Sequence, residues 1–214
     1  MAYNSIQDFA SSLYASARPS QFRVHIIFPA NSYIQSAINS AISNIASGAP
    51  TSPVGTYEQA TFLTHIASLP SYNIQDIAVY YRGRPVHEAG ELEYEQWTCT
   101  VYNSADFKLR TAIESWSNFI HRPQYVQGET IPANYKSSVL IEQLDRNNNT
   151  LRVYKLIGAY PLNTGRIELN FQEGTTLETF EITWVYDYFE VGNKELLYQA
   201  GLEAVTDTVG GLLG

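Results

Sequence analysis

Thr179-Phe180-Glu181-Ile182-Thr183-Trp184-Val185-Tyr186-Asp187-Tyr188-Phe189-Glu190 decides the fold class. Phe180, Ile182, Trp184, Tyr186 and Tyr188 fall on one parity, and Thr179, Glu181, Thr183, Val185 and Asp187 on the other. Successive side chains of a strand point to opposite faces, so this alternation predicts a long strand over Leu177–Phe189 with one aromatic, buried face. Trp97, Cys99 and Val101 alternate with Thr98, Thr100 and Tyr102 in the same way, closing a predicted strand over Glu91–Tyr102. The two strands predict a sheet with an apolar side and a polar side. The polar rows admit two readings. One is an ordinary solvated face. The other is the wall of a water-filled channel in a large barrel, where closure across several chains also removes the open edges.

Working outward, most of residues 57–190 reads as strand. Predicted strands cover 60–67, 73–81, 139–144, 151–157 and 166–171. Arg82-Gly83-Arg84-Pro85 is a predicted loop, and Asp145-Arg146-Asn147-Asn148-Asn149 is a predicted hairpin turn whose residues tolerate positive φ. Earlier, Phe22, Val24, Ile26 and Phe28 alternate with Arg23 and His25, a strand with one buried face. Helical periodicity marks a weak helix with Ile6, Phe9, Leu13 and Tyr14, a helix over 31–47, and a helix over 104–120 with Leu109, Ile113, Trp116 and Ile120 on one stripe. Asn103 with Asp106 resembles a capping box for the last of these. A final helix starts after Asn193 with Leu197, Ala200, Ala204 and Val205 inward, followed by a loose tail over 210–214. No repeat or linker divides the chain. The expected organisation is a single domain over 1–214, a core over 16–190 with the helix 31–47 inserted, and a helical extension over 191–214.

Composition narrows the function. The chain has 214 residues, with 13 Lys and Arg against 21 Asp and Glu, a net charge of −8. That balance disfavours a general nucleic-acid binder, which needs a basic face to displace counterions, and disfavours docking on an anionic membrane. Charged residues are only 16% of the chain against about 25% in typical soluble proteins, so partners are expected to cover much of the surface. The single cysteine, Cys99, permits no intrachain disulfide and no cysteine-based metal site. No secretory signal pattern and no membrane-length apolar run is present, and the expectation is a chain made in a cytoplasm.

Catalytic signatures are missing. There is no phosphate-binding loop, no G-x-S-x-G elbow and no H-E-x-x-H. His25, His65, His87 and His121 stand at spacings that do not make a metal site, and read as surface or partner-bonded imidazoles. Glu88, Glu91, Glu93 and Glu95 raise a glycosidase-type carboxylate pair, but Glu91, Glu93 and Glu95 alternate on one strand and read better as a solvated row. Arg82 and Arg84 lie close by, positioned to pair with such carboxylates across a subunit boundary. Asn148-Asn149-Thr150 matches a glycosylation sequon but reads as a turn, and Cys99 reads as a small core residue. Catalytic, cofactor and metal sites are therefore expected to be none.

The motifs now form a pattern. Tyr94-Glu-Gln-Trp97-Thr-Cys-Thr-Val101 is followed by an amphipathic helix and by Tyr135-Lys-Ser-Ser-Val139. Then come Gly158-Ala-Tyr-Pro161-Leu-Asn163-Thr-Gly165 and the Thr179–Glu190 strand, with Ala17-Arg-Pro-Ser-Gln-Phe22 and Leu69-Pro70 upstream. In this order the chain, over roughly residues 16–28 and 57–190, resembles the tail tube proteins of contractile-tailed bacteriophages. The resemblance implies a mainly β fold: an antiparallel β-sandwich or barrel with flanking α-helices, whose strands join neighbours into a hexameric ring barrel. It implies a structural virion protein without catalysis or cofactor. Its rings stack into the inner tail tube inside a contractile sheath and form the conduit for genome ejection. Implied partners are further copies of itself, the tail sheath, the tape-measure protein, baseplate and tail terminator proteins, and double-stranded DNA in transit without specific binding. No membrane is involved, and assembly takes place in the host bacterial cytoplasm. Carried onto the matching positions, lumen-lining candidates are Thr98, Thr100, Glu181, Thr183 and Asp187, and core candidates are Trp97, Val101, Phe180, Ile182 and Trp184. Ring-stacking or inter-subunit candidates are Arg82, Arg84, Glu88, Glu91 and Glu93. A tube-like baseplate or terminator protein, a type VI secretion-like tube and a β-sandwich binding module are the alternative readings.

Overall fold

Phe180, Ile182, Trp184 and Tyr186 are all buried, as are Trp97, Cys99 and Val101 on the neighbouring strand. The alternation therefore builds one wall of the core as expected, and all five core candidates lie in it. The computed structural model describes residues 6–14, 16–29, 36, 60–61, 63–122, 127–171 and 176–199. Its strands are β1 (Phe22–Ile26), β2 (Thr64–Ala67), β3 (Tyr72–Tyr81), β4 (Arg84–Tyr94), β5 (Trp97–Tyr102), β6 (His121–Arg122), β7 (Gln127–Gly128), β8 (Ser137–Leu144), β9 (Thr150–Thr164), β10 (Thr179–Val185) and β11 (Tyr188–Gly192). Its helices are α1 (Ile6–Tyr14), α2 (Lys108–Ile120), α3 (Pro132–Tyr135) and α4 (Glu195–Gln199).

Seven strands form one antiparallel sheet in the order β1-β8-β9-β10-β5-β2, with β11 also on β9. Strand β9 joins two leaves. Its first part pairs with β8 and β11, and its last part pairs with β10. Two bulges re-aim it. Ser138 faces Ile157 and Ser137 faces Ala159, leaving Gly158 as an extra residue at φ 69°. Thr183 faces Asn163 and Trp184 faces Pro161, leaving Leu162 as another. Bulges bend and twist a strand, and a positive φ is where glycine replaces other residues. Val24 and Ile141 from one leaf, Trp97 and Ile182 from the other, and Ile113 and Trp116 from α2 share one apolar cluster. The two leaves therefore face each other across the core as a sandwich, with α2 as a flanking helix. Trp116 lies 5.6 Å from Trp184 and 5.7 Å from Phe28, ring centre to ring centre.

Several expectations are corrected. The long strand over 91–102 breaks at Glu95–Gln96, because β4 belongs to a separate hairpin while β5 belongs to the sandwich. The long strand over 177–189 breaks at Tyr186–Asp187, and its phase flips. Phe189 then packs against the core while Tyr188 is 43% exposed. Residues 166–171 make no strand; Gly165 N–H still bonds Glu181 O at 2.6 Å, and the chain then leaves the ladder. Ala60 and Leu63 are helical, and the strand expected over 60–67 starts at Thr64. The capping box does not form: Phe107, at φ 50°, takes the N-cap position without a side-chain bond, and Asn103 Nδ2 donates to Glu178 instead. His25, expected on an exposed face of β1, is 4% exposed, because Leu140, Val153 and Leu197 build a second small cluster over that leaf. The helix predicted over 31–47 lies outside the described residues apart from Ser36, which is helical, as do Ala200, Ala204, Val205 and the tail over 210–214.

Candidate functional site: a polar sheet face and a projecting hairpin

The polar face of the second leaf is built by register. Thr183 pairs with Thr98 on one side and with Asn163 on the other, and Glu181 pairs with Thr100, which faces Ile66 in turn. Directly paired residues share a face, so Thr98, Thr100, Glu181 and Thr183 form the continuous polar wall that alternation predicts. Trp97, Ile182 and Trp184 back it from the core. Sequence reading missed Asn163, which entered only as part of a turn motif; its place opposite Thr183 follows from the bulge at Leu162. At the end of the wall an open cleft of about 1020 Å³ separates Thr100 and Glu181 from Arg166, Phe171 and Leu177.

Asp187 does not continue this wall. It sits in the bend between β10 and β11, where its backbone N–H donates to Ile157 O at 2.9 Å and Lys136 Nζ donates to both carboxylate oxygens at 2.6 and 2.8 Å. A Cβ on Gly158 would collide with that carboxylate. The Lys136 of one sequence motif, the Gly158 of another and the Asp187 of a third thus meet at the point where β9 passes between leaves.

The second feature is the β3–β4 hairpin. It pairs with no other strand among the described residues, and every residue of β3 is exposed. The expected loop over 82–85 shrinks to Arg82-Gly83, both at positive φ, as a tight two-residue hairpin turn requires. Its base is anchored. Trp97 Nε1 donates to Ser68 O at 2.6 Å, Ser71 Oγ donates to Glu95 Oε2 at 2.5 Å, and Tyr72, Tyr94 and Tyr186 pack around Phe189. Glu95 stays exposed but lies just past the end of β4, so it is not part of the strand row that holds Glu93.

A bulge in β4 sets the faces. Ile74 pairs with Leu92 but Asp76 pairs with Ala89, so Gln75 stands opposite both Gly90 and Glu91. Past the bulge Glu88 pairs with Ile77, on the face of Asn73–Glu93. Without it, Glu88 and Glu93 would lie on opposite faces. The Gln75 Nε2–Glu93 Oε2 bond, 3.4 Å, lies on this face too. Of the five stacking candidates, Arg84, Glu88 and Glu93 share this face, Glu91 sits in the bulge, and Arg82 occupies the turn over the Tyr81 ring. The other face carries Tyr72, Ile74, Tyr80 and Leu92 around an ion pair between His87 Nδ1 and Asp76 Oδ2, 2.7 Å.

Burial pushes the Cys99 thiol up to about 12, which keeps it protonated and inert at neutral pH. Burial, with Glu95 and Tyr94 nearby, likewise pushes the Tyr186 phenol up to about 12. Among the described residues no group of His, Cys, Asp and Glu is placed to hold a metal ion. His25 is bonded to Glu142, His65 stacks on Tyr102 at 4.5 Å, and His121 is exposed.

The comparisons agree with this geometry. The chain is 29% identical to tail tube protein gp19 of Enterobacteria phage T6 and, equally, of Enterobacteria phage T4, over 135 residues that cover 61% of this chain and 80% of each relative. It is 28% identical to a tail tube protein of Serratia phage KSP90 over 47% of this chain and 57% of the relative. In fold it is similar to a chain of the anti-feeding prophage baseplate, with TM-score 0.53 and 12% identity over 84% of this chain and 97% of that one. A chain of an extracellular contractile injection system sheath–tube complex gives TM-score 0.50 and 13% identity over 89% and 99%. The family described as phage tail tube protein matches residues 17–192, and the chain belongs to that family.

Proposed function

We propose that this protein is the repeating subunit of the inner tail tube of a contractile phage, a structural and non-catalytic part of the virion. Hexameric rings, each lined by the Thr98, Thr100, Glu181 and Thr183 wall with Asn163, stack into a conduit. The observation that carries the reading is the projecting hairpin. Its strands of ten and eleven residues expose large apolar side chains to water, and a lone two-stranded hairpin is at best marginal there. Further copies of the chain supply the missing cover. Asp187, tied to Lys136, acts as a joint of the fold and not as a lumen carboxylate. A wall of threonine, asparagine and one glutamate per subunit offers DNA no cation to hold, which suits passage without specific binding. The tape-measure protein during assembly, the sheath outside, and the baseplate and terminator at the ends complete the proposed set of partners. Assembly is assigned to the host cytoplasm.

Negative-stain electron microscopy of the purified protein, across a concentration series and with cognate baseplate as nucleus, tests this. Stacked hollow tubes are expected. Rings that never stack, even on baseplate, would point to a terminator-like subunit. Uniform small particles under every condition would overturn the tube reading.

A further inference from the structure

Each leaf has one face turned away from the shared core. In the second leaf that face is the wall of Thr98, Thr100, Glu181 and Thr183. In the first leaf (β1, β8, β11 and the first part of β9), Val139, Ile141 and Leu156 belong to the core, while Leu140 and Val153 form a separate cluster with Leu197 of α4. Directly paired residues share a face, so the outward face of this leaf carries His25, Leu140, Lys155 and Glu190 in one row and Tyr188 in the next. The leaves lie face to face across the core, so their outward faces point in opposite directions. With the wall lining a lumen, the first leaf turns its outward face away from the tube axis. Helix α4 roofs part of that face. Leu197 is buried on it, and Leu196 closes on Gly192, where an added Cβ would meet Leu196 Cδ1 at 2.8 Å. The helix lies beyond residues 17–192, the stretch matched to the family. Two tyrosines stay exposed here, Tyr188 at 43% on β11 and Tyr198 at 44% on α4. Around them stand Lys155, Lys194, Glu190 and Glu195, charges that cancel in a chain that carries −8.

We propose that this outward face, with Tyr188 and Tyr198 as anchors, is the seat of a sheath subunit, and that packing and hydrogen bonding hold it there without net charge. This rests on the tube reading. The occupant is a sheath subunit because the surface opposite the lumen wall meets the layer around the tube, not copies in the same ring or the next. A chain at −8 favours a basic partner at long range. At this face the local charges cancel and offer a partner no charge to complement. Tyrosine supplies a large, rigid contact area with one hydroxyl, which is why it anchors interfaces. The matching sheath surface is accordingly neutral, and apolar enough to cover two phenol rings.

The test mixes tubes of the full-length protein with purified cognate sheath subunits and reads the sheathed fraction of tube length in electron micrographs. The variant is the Tyr188→Ala/Tyr198→Ala pair. It should form tubes as long as those of the parent and lose sheathing by roughly tenfold or more. Sheathing of the parent should change less than about twofold between about 50 mM and about 500 mM salt, since no charge pair is there to be screened. Sheathing that survives the double substitution would overturn the proposal, because the sheath then seats elsewhere. Loss of tubes in the pair would also overturn it, placing the tyrosines between copies of the chain. A steep decline of parent sheathing with salt would show that charge holds the sheath, and the neutral seat would be wrong. A parent that forms no tubes, alone or on baseplate, would sink the tube reading itself and the proposal with it.

Discussion

Gly158 shows how much can depend on one missing side chain. Its φ of 69° lets β9 bulge out of one leaf, and its bare Cα leaves room for the Asp187 carboxylate that Lys136 holds. Gly158→Ala should cost about 1–3 kcal/mol from the backbone alone, with the collision added. Urea denaturation measures it. Asp187→Ala removes the collision but also both bonds from Lys136, so on the Asp187→Ala background the glycine change should cost the backbone strain alone, less than it costs in the parent. Equal stability of Gly158→Ala and the parent would mean that the joint is unstrained. The motif spacing displayed Gly158, Lys136 and Asp187 separately. Their meeting was not legible, because Lys136 and Asp187 are 51 residues apart and only the bulge brings them together.

At the scale of elements, β1 is clasped to its leaf by a buried polar cluster. Glu142 on β8 is 2% exposed; His25 Nε2 lies 3.3 Å and Arg23 3.8 Å from its Oε2, and Thr150 donates to its Oε1 at 2.5 Å. Thr61 Oγ1, 3.4 Å from His25 Nδ1, ties in the segment that precedes β2. Burial pushes the Glu142 carboxyl up, but the bonds from His25 and Thr150 and the charges of His25 and Arg23 outweigh it. The result lies below its ordinary value of 4.5. A carboxylate depressed by folding adds stability above that ordinary value and loses it as pH falls through the folded value. Stability should therefore drop on acidification below about pH 4.5. Glu142→Gln should flatten that acid limb in denaturation curves taken across pH, while Asp145, held low by bonds from Asn149 and Asn147, keeps part of the slope. An unchanged limb would show that the clasp is not linked to folding. Alternation in β1 marked Arg23 and His25 as the polar face. It did not show that the face is covered, because α4 and β9 supply the cover from far along the chain.

For the whole molecule, body and hairpin are separable. The sandwich core owes nothing to residues beyond Ile74 and Leu92, whose side chains are exposed, while Tyr72 and Tyr94 secure the base. Replacing residues 75–91 with a short turn should leave the thermal midpoint within about 4 °C of the parent by calorimetry and abolish tubes in micrographs. A large loss of stability would mean that the hairpin belongs to the fold, and intact tubes would mean that stacking uses another surface.

Periodicity alone determined the β class, the buried parity of Trp97–Val101 and Phe180–Trp184, the amphipathic helix and the turn at Asp145–Asn149. Each is local, set by where successive side chains of one strand or helix point. The tertiary structure decided where long strands break, since a break depends on which partner strand continues beyond it. It also decided that Asp187 leaves the polar wall for Lys136, and that a one-residue bulge opposite Gln75 moves Glu88 onto the face of Glu93. Register is a relation between strands, and a single added residue reverses every side chain after it.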